Sequence, residues 1–460
     1  MRLLPLAAAL LLAAATPAQQ PRTPPGAPLE KGAILPHVSC TAHPEQSYAL
    51  YLPTGYSSDR KWPLMLSSDP GARGSLPLEL QKAAADKLGW VLAASNDSRN
   101  GPGQARFDAT EATLNDVQAR VSIDPRLVYF AGFSGGARFS SQVALLCKCS
   151  AGVLLDGAGF SNGQSLATEQ PFPVFSAIGI TDFNYSEVIP LQEALEKAGY
   201  PHRLRVFQGS HEWAPADVME EAMNWLRIES MKAGREPRDS GFLDAQFTIM
   251  QKRADSFERS GELLLAWREY RQLAATFESL RDVSGLRATA DALGKQKAVR
   301  EALKREQAEF AEQAQLTGDI TSHFERFEGE REMQDQLAHL RSNAQQEKRP
   351  ERARVYRRAL DGVFISAIEA GDTALESKNF AQAGRLFDAA TQAKPDSEWA
   401  WRMLAEAYAL AGKKKNALSA LRKARELSQD RAAFAKWFVA DPAFDALRSS
   451  PEFSQFVGPD

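Results

Sequence analysis

Short apolar or β-rich runs alternate with helix-patterned stretches from residue 48 to residue 228, and after about residue 235 the strand-like runs stop. The runs cover 48–52, 63–67, 90–94, 127–130, 152–155, 174–178 and 203–207; helical spacing marks 78–88, 109–121, 187–198 and 216–228 between or after them. Strands that are apolar on both faces and separated by helices belong inside a parallel sheet covered on two sides, because a half-exposed strand alternates polar with apolar residues. A doubly wound, mainly parallel α/β sheet is therefore expected. Beyond residue 235 the chain is rich in Ala, Glu, Lys, Arg, Gln and Leu at helical spacing, which predicts an all-α region. A chain of 460 residues has room for two domains. The polar segment Gly234-Arg235-Glu236-Pro237-Arg238-Asp239-Ser240-Gly241 is the expected boundary. The resulting division is a leader (1–18), a proline-rich linker (19–40), an α/β domain (41–233), a charged helical region with a degenerate repeat (242–358), and helical repeats with a C-terminal cap (359–460).

One strand end carries a recognisable nucleophile. Leu127-Val128-Tyr129-Phe130 runs into Ala131-Gly132-Phe133-Ser134-Gly135-Gly136-Ala137-Arg138. Glycines two residues before and after the serine let a strand turn sharply into a helix, and the turn lifts the hydroxyl out of the sheet. Ser134 is the candidate nucleophile. A serine hydroxyl reacts poorly until a histidine takes its proton and a carboxylate holds that histidine, so later strand ends must supply both.

The strand at 173–180 leads into Thr181-Asp182-Phe183-Asn184-Tyr185, and Asp182 is the expected acid. Its rival, Asp156, ends the preceding strand, one strand earlier than this chain order favours. The strand at 204–208 breaks at Gly209 and continues as Ser210-His211-Glu212-Trp213, which makes His211 the expected base. The other histidines lack such a setting: His37 and His43 lie near the N-terminus, His202 opens a strand, and His323 and His339 fall in charged helices.

Gly-Phe-Ser-Gly-Gly-Ala-Arg, Gly-Ile-Thr-Asp-Phe-Asn-Tyr and Gly-Ser-His-Glu-Trp together resemble the secreted α/β-hydrolases grouped with polyhydroxybutyrate depolymerases, feruloyl esterases and dienelactone hydrolase. The resemblance spans about residues 45 to 230, and it implies ester hydrolysis through an acyl-enzyme, without a cofactor. One departure stands out. Many relatives place His-Gly after the third strand, where this chain has Ser67-Ser68-Asp69-Pro70-Gly71-Ala72-Arg73-Gly74.

A tetrahedral intermediate needs N–H donors at its oxyanion, and losing one costs about 3 kcal/mol. The residue after the nucleophile, Gly135, supplies one; Pro70 has no N–H, so Gly71 or Ala72 is the expected second. Asp69 and Arg73 are expected to brace that loop. The short intervals between Ser134, Asp182 and His211 leave no room for a large lid, which predicts an open cleft lined by Phe133, Tyr185 and Trp213, with Phe160 and Asn184 nearby.

Met1-Arg2 followed by an apolar run over 3–15 and the small residues Thr16-Pro17-Ala18 reads as a secretory signal peptide, since a bilayer span needs about 20 apolar residues. A secreted or periplasmic protein with no transmembrane span in its mature chain is the expectation, and the proline-rich stretch 21–28 follows as a linker. Of the three cysteines, Cys40 is expected to pair with Cys147 or Cys149 in an oxidising compartment. No metal site is expected, because Cys-x-Cys without a nearby histidine pair offers too few ligands.

The second half repeats. Ala383, Phe387 and Ala390 recur 34 residues later as Ala417, Leu421 and Ala424, and Gly371 stands the same distance before Ala405. Trp401, Leu404, Ala405 and Tyr408 fill the intervening helix, the tetratricopeptide pattern of small residues at helix crossings. A looser copy runs through Ala254, Ala266, Tyr270 and Leu273, and residues 296–358 read as one or two long charged helices. The tail with Phe434, Trp437, Phe438, Phe444, Leu447 and Phe453 is expected to cap the stack. Such helix pairs leave a concave face suited to a protein or polymer partner. The basic patches at 348–358 and 413–415 sit in a chain of net charge −3 without a nucleic-acid motif, so no nucleic-acid partner is expected.

The expected activity is that of a serine-dependent carboxylic ester hydrolase on small or polymeric esters, with repeats for protein or polymer interaction. A catalytically silent hydrolase-fold scaffold and a serine peptidase are the alternatives.

Overall fold

The computed structural model describes residues 23–24, 27–101, 103–161, 166, 171–324, 329–448, 450, 452 and 456. The expected leader and Phe453 lie outside them. The chain divides into two compact units, Met1–Pro125 and Arg126–Asp460.

The first unit holds β1 (Ile34–Ser39), β2 (Ser47–Tyr51), β3 (Trp62–Ser68), α1 (Ser75–Leu88), β4 (Val91–Ser95) and α2 (Gly103–Arg120). β2 pairs antiparallel with both β1 and β4, whereas β3 runs parallel to β4. Every residue of β2 and β4 is buried, as their largely apolar pattern requires. Asp116 on α2 accepts the Tyr48 hydroxyl and the Thr41 N–H, each at 2.7 Å, and so ties the helix to β2 and to the segment after β1. β1 occupies part of the expected linker.

The second unit opens with β5 (Ile123–Phe133), which begins just before the division, followed by α3 (Gly135–Cys147), β6 (Ser150–Asp156), β7 (Val174–Gly179), α4 (Tyr185–Lys197), β8 (His202–Phe207) and α5 (Ala216–Lys232). β5, β6, β7 and β8 pair in that order, all parallel. Their carboxyl ends therefore share one edge, with Phe133 opposite Asp156 and Gly179 opposite Phe207. Loops issuing from that edge are where open α/β sheets place their chemistry.

Among the described residues helices follow without further strands: α6 (Ser240–Arg259), α7 (Leu263–Phe277), α8 (Ser284–Lys295), α9 (Lys297–Thr321), α10 (Glu330–Gln346), α11 (Pro350–Glu376), α12 (Phe380–Ala393), α13 (Glu398–Leu410), α14 (Lys414–Leu427) and α15 (Arg431–Ala440), then a 3-10 helix, Pro442–Leu447. Asp239, Asn379, Ser397 and Asp430 cap their helices by accepting the N–H three residues on. Gly371 is small by necessity, since a Cβ there would lie 2.4 Å from the Phe387 ring. Ala383, Phe387, Ala390, Ala405, Ala417, Leu421 and Ala424 share one core with Phe434, Phe438, Phe444 and Leu447, so the aromatic tail closes the stack. Ala254, Ala266, Tyr270 and Leu273, the looser copy, are buried on α6 and α7.

Sheet and helices are continuous within this unit. Buried Arg203 on β8 pairs with Glu221 on α5 at 2.9 Å and Glu269 on α7 at 3.0 Å, and Gln272 accepts the Leu204 N–H at 2.5 Å. The edge of β8 is thereby covered rather than exposed. The compositional change near residue 235 marks the end of the sheet elements, inside one compact unit.

The cysteines depart from expectation. Cys147 is joined to Cys149, and Cys40 is a buried free thiol. Lys148, in a left-handed conformation at φ 52°, brings the two Cα atoms to 5.1 Å, within the span a disulfide needs. Burial, with the Asp116 charge nearby, pushes the Cys40 thiol up to about 12.

Candidate active site

The nucleophile turn is built by sterics. A Cβ at position 132 would lie 2.2 Å from the Gly136 carbonyl oxygen, so only glycine permits β5 to pass this close to the start of α3. Ser134 sits at the corner with φ 53° and ψ −123°, a conformation that costs a non-glycine residue about 1–3 kcal/mol and persists only where neighbours enforce it. Its N–H donates to the Asp156 carbonyl at 2.8 Å, and its own carbonyl accepts from Ala137 and Arg138 at 2.9 and 3.2 Å.

The three expected residues meet. Ser134 Oγ lies 2.8 Å from His211 Nε2, and His211 Nδ1 lies 2.9 Å from Asp182 Oδ2. With the acid ionised, Nδ1 carries the proton and donates to Asp182, which leaves Nε2 to accept from the serine hydroxyl. The imidazole is held between the Phe133 and Phe183 rings, 4.6 and 4.3 Å from its centroid. Its side chain keeps 14% of its surface exposed, while the Asp182 carboxylate keeps none. Burial pushes Asp182 up; the hydrogen bond and charge of His211 and the Asn184 N–H, 2.8 Å from Oδ1, pull it back.

The rival carboxylate is elsewhere engaged. Asp156 Oδ2 accepts the Ala214 N–H at 2.6 Å, anchoring the loop that carries His211. Complete burial, reinforced by the Asp182 charge, holds its carboxyl well above the usual carboxylate range.

Gly135 opens α3 directly after Ser134, so the oxyanion would form at a helix N-terminus. In the first unit, the 69–73 loop is braced as expected: Arg73 Nε and Nη2 donate to the two Asp69 carboxylate oxygens at 2.9 and 2.8 Å. The Gly71 N–H donates to Asp69 Oδ1 at 2.8 Å and the Ala72 N–H to the Asp69 carbonyl at 3.0 Å, so both amides are engaged inside their own turn.

The expected pocket residues are mostly foundation. Phe133 backs the imidazole and Trp213 backs Phe133 at 5.6 Å, both buried. Tyr185 spends its hydroxyl on Glu306 at 3.1 Å and its ring face on Arg358. Asn184 donates to the Gly157 carbonyl at 2.8 Å, and Phe160 packs edge-on against Tyr200. Sequence reasoning passed over Arg138 and Glu187, which form a two-pronged pair at 2.7 and 2.6 Å joining α3 to α4. It also passed over Phe183, the inner wall beside His211. Arg138, four residues after the nucleophile on a helix, was the readable signal. Phe183 had none beyond its place next to Asp182.

The tetratricopeptide repeat family matches residues 374–436, which takes in α12, α13 and α14. Among solved structures, the chain is similar to S-formylglutathione hydrolase (FrmB) from Staphylococcus aureus, at 14% identity over 39% of this chain and 90% of that one, with a TM-score of 0.35. It is similar to Est1E from Butyrivibrio proteoclasticus at 12% identity, 40% of this chain and 94% of that one, TM-score 0.32. A ferulic acid esterase gives 15%, 40%, 92% and 0.35 in the same measures. No curated protein sequence matches the chain. Parallel strands alternating with helices are followed by an all-α region, within which residues 374–436 match the tetratricopeptide repeat family. Among the described residues, no helix is long and apolar enough to cross a membrane.

Proposed function

We propose that the protein is a carboxylic ester hydrolase that works through an acyl-enzyme. The observation that carries this reading is the unbroken line from Ser134 Oγ through the His211 ring to the buried Asp182 carboxylate, with 2.8 and 2.9 Å contacts. As Ser134 attacks an ester carbonyl, His211 takes the hydroxyl proton on Nε2, and Asp182 stabilises the imidazolium through Nδ1–H. The Gly135 amide, at the positive end of α3, is read as a donor to the developing oxyanion. His211 then passes its proton to the departing alkoxide, which leaves as an alcohol. A water molecule, deprotonated by the same nitrogen, attacks the acyl-serine, and the imidazolium returns the proton to Ser134 Oγ as the carboxylic acid leaves.

The repeats at 374–436 are read as a surface for a protein or polymer partner. The apolar run at 3–15 is read as an export signal, which N-terminal sequencing of the mature protein tests. The enzymatic reading is tested by p-nitrophenol release from acetyl, butyryl and octanoyl esters, with Ser134→Ala alongside. Turnover that vanishes in the variant supports it, and the chain-length profile sizes the acyl site.

A further inference from the structure

Three polar groups on the loop that carries Asp182 find their partners on helices 121 to 178 residues further along the chain. The sheet side of the loop is secured locally: Ile180 N–H donates to the Phe207 carbonyl and Thr181 N–H to the Gly209 carbonyl. The other side faces the helical region. The Ile180 carbonyl accepts from Arg358 Nε and Nη2 on α11 at 2.9 and 2.5 Å. The Phe183 carbonyl accepts from Gln313 Nε2 on α9 at 2.7 Å. The Tyr185 hydroxyl donates to Glu306 on α9, and Glu306 is gripped in turn by the Arg268 fork from α7.

Packing repeats the pattern. The Arg358 guanidinium lies 3.8 Å from the Tyr185 ring centroid. One turn on, α11 presents Gly362 to Phe183, where a methyl group would sit 3.8 Å from the Phe183 Cβ. Phe183 is the ring that walls His211. Arg358 and Gln313 are only 2% and 6% exposed, so water does not substitute for either donor if it is removed.

We propose that Arg358 and Gln313 are positioning residues for the catalytic acid. They grip the carbonyls on either side of Asp182, fixing its carboxylate against His211 Nδ1, so the helical region is a working part of the active site. The proposal rests on the reading of Ser134, His211 and Asp182 as the catalytic residues.

The test uses the full chain with Gln313→Met, Arg358→Lys and Arg358→Ala. Gln313→Met removes one donor at nearly constant volume and so guards against a variant that merely fails to fold. Two readouts are needed: the low-field proton resonance of His211 Nδ1–H, which requires no substrate, and kcat and KM on p-nitrophenyl acetate per Ser134 titrated with a fluorophosphonate.

In Gln313→Met and Arg358→Ala the low-field resonance shifts or disappears, and kcat per titrated site falls roughly tenfold or more while KM changes little. Arg358→Lys recovers part of the loss. Variants that only melt earlier, keeping the wild-type resonance and the wild-type kcat per site, overturn the proposal. A chain without turnover whose low-field resonance still disappears in Gln313→Met overturns the ester-hydrolase reading and leaves the positioning role standing.

Discussion

The side chain of Asp156 accepts the backbone N–H of Ala214 at 2.6 Å, just beyond His211 in the chain. Two carboxyl groups thus support one histidine in different ways. Burial raises both, but Asp182 is drawn back by the imidazole, whereas Asp156 has the Asp182 charge pushing it further up. Asp156 fastens the loop through the Ala214 N–H, and Asp182 faces the imidazole it orients.

Replacement by the neutral amide separates these roles. Asp156→Asn keeps an acceptor for Ala214 and is expected to turn over esters close to the wild-type rate. Asp182→Asn favours the wrong tautomer of His211 and is expected to lower kcat by roughly 10³ to 10⁴. Asp156→Ala leaves the Ala214 N–H without an acceptor and costs about 1–3 kcal/mol in denaturant unfolding. Equal collapse of kcat in the two asparagine variants contradicts the division.

The Asp69 turn makes a second prediction. Its carboxylate is buried, while Arg73 is 59% exposed at the side chain, so solvent screens much of the pair. Asp69→Asn still accepts from Gly71 but gives up the two-pronged contact. The expected loss is about 1–2 kcal/mol in urea unfolding, and a variant as stable as wild type shows the brace to be idle.

The helical repeats carry a pH dependence. Burial, with Asp441 and Asp372 nearby, raises Glu406 on α13 to about 7. Its folded value exceeds its unfolded one, so the native state binds the extra proton and stability falls as pH rises from about 4.5 to about 7. Glu406→Gln is therefore expected to melt a few degrees above wild type at pH 8 and level with it near pH 4. Calorimetry at the two pH values reads the difference; a gap that is larger at pH 4 reverses the sign and the explanation.

Much of the site was legible because it is written at strand ends. Ser134, Asp182 and His211 each follow a strand, and parallel pairing in the order β5, β6, β7, β8 brings those strand ends to one edge. β1 was not legible: Pro36 interrupts its pattern, and its pairing with β2 shifts register between Leu35 and Val38, as an outer strand tolerates. The cysteine pairing turned on the backbone of Lys148, which no spacing rule reports. Of the aromatics expected to line the cleft, Phe133 and Trp213 serve as packing behind the imidazole. Arg358 and Gln313 left no signature at all, since each lies in a charged helix whose contact with the acid loop exists only after folding. That α9 and α11 would pack against the loop carrying Asp182 was not readable.

The central claim, that Ser134 is an activated nucleophile, is tested most directly by treating the full chain with a fluorophosphonate and mapping the adduct by mass spectrometry. Stoichiometric labelling of Ser134, abolished in His211→Ala and strongly slowed in Asp182→Asn, is the predicted result. Folded protein that stays unlabelled, or carries the adduct on another residue, contradicts it.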